Sequence, residues 1–204
     1  MLRSKSKSKS KRRKASSKKS KTTKDEFKHL FDIDYIKRKT KNLSNLKTSL
    51  RKIRNKGVGI FANKKIKKNE VIVYYLLKAY NVKNFSNLFN NVYTIELYTK
   101  NGNSIKSLIG DLCNESLMQP DSKGIAYWGY FSNEPSNGQK ENSFLDINLN
   151  ENYMNKNRIK DGDYVLYKLI ASKDIEKGEE ITWCYGSLYS RNYETTCDEK
   201  WKLI

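Results

Sequence analysis

From Gly57 onward the chain is a succession of short runs rich in Val, Ile, Tyr and Phe, each closed by a cluster of turn residues. The runs read GVGIFA, EVIVYYLL, VYTIELYT, SFLDINL and YVLYKLIAS, and the clusters KKIKKN, NGN, NEPSNGQKEN and DIEKGEE. β-Branched and aromatic side chains fit the pleated, half-buried surface of a sheet, while Asn, Gly, Pro and Asp supply the backbone angles that turns require. Parallel strands need a helical crossover between them, and the pattern leaves little helix between these runs. The expected fold is therefore a compact, mostly β domain over residues 49–193 with helical flanks.

Ahead of the runs the period changes. Thr23 stands three residues before Glu26, the spacing of a capping box, and Phe27, Leu30, Phe31 and Tyr35 continue at helical intervals, so a helix is predicted to start near Asp25. Leu43, Leu46, Leu50 and Ile53 recur at three- and four-residue steps, which predicts a second helix or an amphipathic lead-in. Residues 25–48 read as a helical flank and 194–204 as a C-terminal tail.

Residues Met1 to Lys24 read MLRSKSKSKSKRRKASSKKSKTTK, with twelve Lys or Arg and no acid, so most of the formal net charge of +19 is local. Such a segment cannot bury enough apolar area to offset the entropy of ordering it, which predicts disorder over 1–24. It suits displacement of counterions from phosphates, and KRRK at Lys11 to Lys14 suits a nuclear address. Nucleic acid or the nucleosome is the expected partner of this segment, and the nucleus or chromatin the expected location. The longest apolar runs, such as Val71 to Leu77, are far shorter than the roughly 20 residues that cross a bilayer. No apolar signal region follows the basic start, so neither a membrane nor a secreted protein is expected.

Cys113, Cys184 and Cys197 form no CxxC pair, and His29 is the single histidine, so no metal site is expected. An odd number of cysteines in such a chain fits a reducing compartment with free thiols. His29 falls off the apolar stripe of Phe27, Leu30 and Phe31, as a solvated histidine does, which disfavours a histidine-based triad.

Four segments carry more specific information. The first is Lys56-Gly57-Val58-Gly59-Ile60-Phe61-Ala62, continued by Ile66 to Ile72. The second is Ala126 to Ser136, which holds Asn133-Glu134-Pro135-Ser136 and closes at Glu141-Asn142-Ser143-Phe144. The third is Tyr164 to Ala171, and the fourth Asp174 to Gly186, with Glu179-Glu180-Ile181-Thr182 and then Tyr185-Gly186. Taken singly, a Gly-x-Gly or a Lys-Gly-Glu-Glu is ordinary turn chemistry. In this order, over about Leu50 to Tyr193, they resemble the SET-domain protein lysine methyltransferases. The second segment is similar to an NEPS-type variant of that family's asparagine motif, with Asn133 and Asn142 as its two asparagines and Glu134 where the usual pattern has histidine. The compact size is like that of the small SET proteins of large DNA viruses, which would place the chain in a host nucleus or a virion.

The resemblance implies a SET-domain fold of small twisted sheets with a knot-like C-terminal threading. It implies S-adenosylmethionine as cofactor and a lysine-bearing, histone-like protein as substrate. Cofactor contacts are expected from Lys56, Gly57, Val58, Gly59, Asn133, Glu134 and Tyr185, with Tyr185 as the catalytic residue. Tyr127, Tyr130, Tyr164, Tyr189 and Tyr193 are candidates for a lysine channel, and Trp201 for a cover over the cofactor. Methyl transfer from a sulfonium to an amine is an in-line displacement that asks for alignment and a neutral amine and needs no metal. Aromatic walls exclude water and attract cations. With Glu134 in the histidine's place, an alternative is a catalytically silent SET-like module held on nucleic acid by its basic tail. Another is a nucleic-acid-packaging protein that shares only the strand pattern.

Overall fold

The computed structural model describes residues 27–83, 93–99, 103–114, 119–147, 159–186, 189, 191–193 and 196–197. The elements in order are a helix α1 (Ile33–Lys39) and the strands β1 (Thr48–Ile53), β2 (Gly57–Ala62), β3 (Val71–Asn81), β4 (Ile95–Tyr98), β5 (Ser104–Asp111), β6 (Ser143–Asp146), β7 (Tyr164–Ala171) and β8 (Glu180–Ile181). Two antiparallel sheets result, one ordered β1-β2-β8 and one ordered β4-β5-β3-β7-β6. The mostly β architecture expected from the run pattern is present.

The long strands β3 and β7 pair from Val71↔Ile170 to Lys78↔Tyr164 and make the spine. Side chains alternate across a strand, so one face carries Val73, Tyr75, Leu77 and Ala79 with Val165, Tyr167, Leu169 and Ala171, all in the main core. The other face carries Tyr74, Leu76, Tyr164 and Leu166 and forms a smaller cluster with Cys113 and Tyr127. Burying each such Leu or Val stabilises by about 1.5–3 kcal/mol.

The flank departs from its expectation. A 3-10 turn covers Lys28–Phe31, and α1 is capped by Asp32, whose Oδ1 accepts the amides of Asp34 at 2.9 Å and Tyr35 at 3.0 Å. The Thr23–Glu26 box lies outside the described residues. The second predicted helix is a strand. Leu46, Thr48 and Leu50 are buried at a spacing of two, and β1 pairs with β2 from Thr48↔Ala62 to Ile53↔Gly57. Leu43, Leu46, Leu50 and Ile53 satisfied a helical spacing by coincidence, and the hairpin through Asn55, in the left-handed region at φ 66°, decided the outcome.

The segment before the asparagine motif is pressed onto β3. Trp128 bridges to Tyr75, and its indole Nε1 donates to Thr48 Oγ1 at 3.1 Å. A Cβ on Gly129 would lie 2.8 Å from the Tyr74 carbonyl, so only glycine permits this approach. A 3-10 turn over Gly129–Phe131 then delivers Ser132, Asn133 and Glu134 to β8.

Candidate active site

Three stretches meet at β8. On its near side lies β2, paired through Ile60↔Ile181 and Phe61↔Glu180. The asparagine loop follows, where Asn133 bridges to Thr182 and its carbonyl accepts the Trp183 amide at 3.1 Å. Asn142 holds the strand again, accepting the Thr182 amide at 2.9 Å and donating to the Glu180 carbonyl at 2.8 Å. The Asn133 side-chain amide donates to the Val58 carbonyl and to Glu180 Oε1, both at 3.1 Å. Gly59 makes room for this: a Cβ there would meet Ile53 Cδ1 at 2.4 Å and Asn133 Nδ2 at 3.0 Å.

Glu134 is the hub of the next layer. Its side chain is 1% exposed, and its carboxylate accepts Arg191 Nη2 at 2.6 Å, Arg191 Nε at 2.7 Å, the Tyr185 amide at 2.9 Å and the Tyr193 hydroxyl at 2.9 Å. Its main-chain carbonyl accepts Lys56 Nζ at 3.1 Å. Arg191 donates onward to the carbonyls of Gly186 at 2.8 Å and Tyr189 at 3.1 Å. Burial pushes the Glu134 carboxyl up, but the Arg191 guanidinium, the Tyr185 amide and the Tyr193 hydroxyl outweigh it and hold the group below the ordinary glutamate value.

Tyr185 is half-buried, with its hydroxyl donating to the Ser132 carbonyl at 2.9 Å. Its ring stands edge-on to Tyr189 at 4.7 Å and to Trp183 at 5.2 Å. Burial, then the phenols of Tyr193 and Tyr189, push its hydroxyl far above the usual phenol range. At neutral pH it is therefore a fixed donor, able to orient a group but not to take a proton from one. Tyr75 and Tyr93 complete the aromatic surroundings. Tyr75, 4% exposed, reaches the Tyr93 carbonyl at 3.4 Å, and burial followed by Tyr185 raises its hydroxyl.

The structure brings Lys56, Gly57, Val58, Gly59, Asn133, Glu134, Tyr185, Tyr189 and Tyr193 into one connected region. Tyr130 lies at its border, donating to the Leu30 carbonyl at 2.7 Å, with its ring 6.4 Å from Tyr75 and 6.3 Å from Tyr93. Tyr127 and Tyr164 are placed on the other face of β3 and β7, in the cluster with Tyr74. Trp201 lies outside the described residues. No motif in the sequence marks Tyr75 or Tyr93. The doublet Tyr74-Tyr75 announces one tyrosine per face, but nothing local says which face meets Tyr185.

The free-thiol expectation is corrected for two of the three cysteines. Cys184 and Cys197, thirteen residues apart, form a disulfide with a Cα–Cα distance of 5.4 Å, while Cys113 is free and buried. The chain beyond Gly186 turns back, which no spacing rule for adjacent cysteines registers. Glu134, Cys184 and Cys197 bring candidate metal-binding atoms within 4.8 Å of one another. The sulfurs are bonded to each other, however, and the carboxylate is taken by Arg191 and Tyr193.

The SET domain family model matches residues 57–186. A comparison with curated proteins found no match. Among solved structures, one that is similar is a crystal structure of a Plasmodium falciparum protein provisionally assigned as a histone methyltransferase. It is 20% identical, with 70% of this chain and 95% of that chain covered at a TM-score of 0.41, a likeness too distant to assign a function. The family match runs from the Gly57 hairpin to the Tyr185-Gly186 turn, the two ends that β8 and the asparagine loop hold together, and the chain belongs to the SET-domain family.

Proposed function

We propose that this protein is a protein-lysine N-methyltransferase that uses S-adenosylmethionine, acting on a histone or another basic chromatin protein. The observation that carries the reading is Tyr185, whose hydroxyl is fixed on the Ser132 carbonyl inside a surround of tyrosines. The donor set suits the ligand's chemistry: an ammonium at Lys56 for a carboxylate, and carbonyls and aromatic faces for a sulfonium. When bound, that ligand supplies an electrophilic methyl group. The chain's own part is to keep water out, receive the lysine as a neutral amine and hold it in line. An aromatic, desolvated channel lowers the cost of the neutral form. Tyr189 is a channel candidate with this geometry, Tyr75 and Tyr93 join it, and the exposed Tyr193 is a candidate for the channel mouth.

In this reading residues 49–193 form the catalytic domain, 194–204 with Trp201 cover the cofactor, and Met1 to Lys24 hold nucleic acid or the nucleosome in the nucleus or on chromatin. The test is incubation with labelled S-adenosylmethionine and a panel of core histones, nucleosomes and DNA, followed by mass spectrometry. Label on lysine is expected. Thermal stabilisation by S-adenosylhomocysteine without label would leave the silent SET-like module, and neither effect would end the reading. Removing Met1 to Lys24 should leave cofactor binding intact and flatten the salt dependence of nucleosome affinity, since the lost contacts are with phosphates. Equal salt slopes would dismiss that role.

A further inference from the structure

Beyond Gly186 the described residues form no strand, yet Tyr189 and Tyr193 return to the site that Tyr185 occupies. Something other than a ladder must hold them. Besides the Tyr185–Tyr189 ring contact, the Thr196 hydroxyl on the Gln139 carbonyl and the Cys184–Cys197 disulfide, the side-chain hydrogen bonds of Arg191 and Tyr193 all involve one carboxylate or its immediate partner. Glu134 takes both Nε and Nη2 of Arg191, so the guanidinium is fixed in plane. The same guanidinium uses two of its three remaining hydrogens on the carbonyls of Gly186 and Tyr189. The other bonds of Glu134 go to the Tyr193 hydroxyl and the Tyr185 amide. One acidic side chain therefore touches the start and the end of the segment directly, and its middle through Arg191. On its main-chain side Glu134 also receives Lys56, which belongs to the opposite edge of the site.

A forked cation–carboxylate pair is directional as well as attractive, so it fixes orientation in a way that apolar packing does not. With the carboxylate almost wholly buried and Arg191 only 17% exposed, solvent competes weakly for either group. Removing one partner leaves the other charge buried and unpaired, which makes the arrangement intolerant of neutralisation.

We infer that Glu134 is a positioning residue: its carboxylate anchors the segment from Tyr185 to Tyr193, through Arg191, Tyr193 and the Tyr185 amide, and so sets the place of the Tyr185 hydroxyl. Glutamate at this position is on that account functional in its own right rather than a lapse from histidine. The part of the inference that concerns the Tyr185 hydroxyl rests on the methyl-transfer reading, whereas the anchor itself does not.

The experiment has two arms on the full chain. In the first, amide hydrogen exchange is compared between the wild type and Glu134→Gln, with Arg191→Lys as a milder variant that keeps the charge and loses the fork. Exchange at Tyr185 and along 189–193 should quicken by about tenfold or more in Glu134→Gln and by less in Arg191→Lys, with β3 and β7 unchanged. No change in 185–193, or an acceleration spread evenly over β3 and β7, overturns the anchor. In the second arm, Glu134→Gln should lose about tenfold in kcat while the dissociation constant for S-adenosylhomocysteine moves by less than about threefold. The double variant Tyr185→Phe/Glu134→Gln should be no slower than Tyr185→Phe alone, because a residue that acts by placing the hydroxyl has nothing left to place. Losses that multiply overturn the positioning role. If the wild type transfers no methyl group, the proposed function fails, and the exchange arm alone decides the anchor.

Discussion

The two sides of the site are held by different means. On the β2 side the hold is a backbone ladder: β2 lies between β1 and β8, and Asn133 and Asn142 are tied to β8 through main-chain groups. On the side beyond Gly186 it is a set of side chains, namely the Glu134–Arg191 pair, Tyr193 and the Cys184–Cys197 bond. A ladder spreads its stabilisation over many bonds, each worth about 0.5–1.5 kcal/mol net, whereas a hub concentrates it in a few atoms. The ladder side should therefore resist single substitutions until a buried backbone group is orphaned. The hub side should respond to single changes in charge or redox state.

Tyr185 sits where the two meet, with its amide on the hub and its hydroxyl on the Ser132 carbonyl. Tyr185→Phe keeps the ring and removes one oxygen. If the hydroxyl aligns the reacting groups, turnover should fall by about a hundredfold, near 3 kcal/mol of barrier, with cofactor affinity little changed. Space freed by the lost oxygen should also move the product toward higher methylation. Steady-state kinetics with mass spectrometry of the product decides it, and full activity with an unchanged product would take the residue out of the mechanism.

The next largest effect belongs to the ladder side. Asn142 is buried and satisfies both the Thr182 amide and the Glu180 carbonyl, so Asn142→Ala orphans two backbone groups at once. About 2 kcal/mol of stability should be lost, seen as a lower urea midpoint. Asn133 is less enclosed, and its side chain reaches the Val58 carbonyl and Glu180. Asn133→Ala should cost less stability but weaken S-adenosylhomocysteine binding more in calorimetric titration. A reversed order of the two affinities would break the assignment of the paired asparagines.

The same contrast explains what the sequence disclosed. The ladder side was legible because its signals are local: GVGIFA, the Val- and Tyr-rich runs and the Glu-Glu-Ile-Thr turn each carry their own period and punctuation. Strand β1 was misread because Leu46 and Leu50 fit a helical spacing as well as an alternate one, and only the partner strand breaks the tie. Strand β5 was missed because SIKSLIGD buries its side chains only toward its end. The hub side was illegible for another reason. Glu134 and Arg191 are fifty-seven residues apart, and Cys184 pairs with a cysteine beyond a turn. Nothing in a local window says that such groups meet, so Glu134 read as a departure from a motif and the cysteines as free thiols.

The disulfide offers a finer comparison of the two sides. Closing a loop of about 15 residues removes roughly 3 kcal/mol of unfolded-chain entropy, provided that the loop folds together with the rest. If the segment beyond Gly186 opens independently, as a side-chain-held segment should, most of that gain is local. Reduction, or Cys197→Ser, should then lower the unfolding free energy from urea titration by less than about 1 kcal/mol and quicken tryptic cleavage after Arg191. A loss near the full entropic value, with cleavage unchanged, would mean that both sides unfold as one unit.

The smallest expected effect is that of acid on the hub. Glu134 is faced by Arg191, by the hydroxyl of Tyr193 and the amide of Tyr185, and on its main-chain side by Lys56. Although burial opposes ionisation, Arg191 and the two tyrosine donors hold its carboxyl below the ordinary value when folded. The unfolded chain therefore binds the proton first as pH falls. The contribution to stability is complete above the usual glutamate value of about 4.3 and declines as pH drops through the lower folded value. Asp174 is also held low, by the Lys68 amide and the Lys67 ammonium, so its contribution too is lost as pH falls. Subtracting the unfolding free energy of Glu134→Gln from that of the wild type at each pH removes that background. The difference should be largest near neutrality and shrink toward zero in acid. A difference that stays constant would mean that the shape of the side chain, and not its charge, holds the segment over the site.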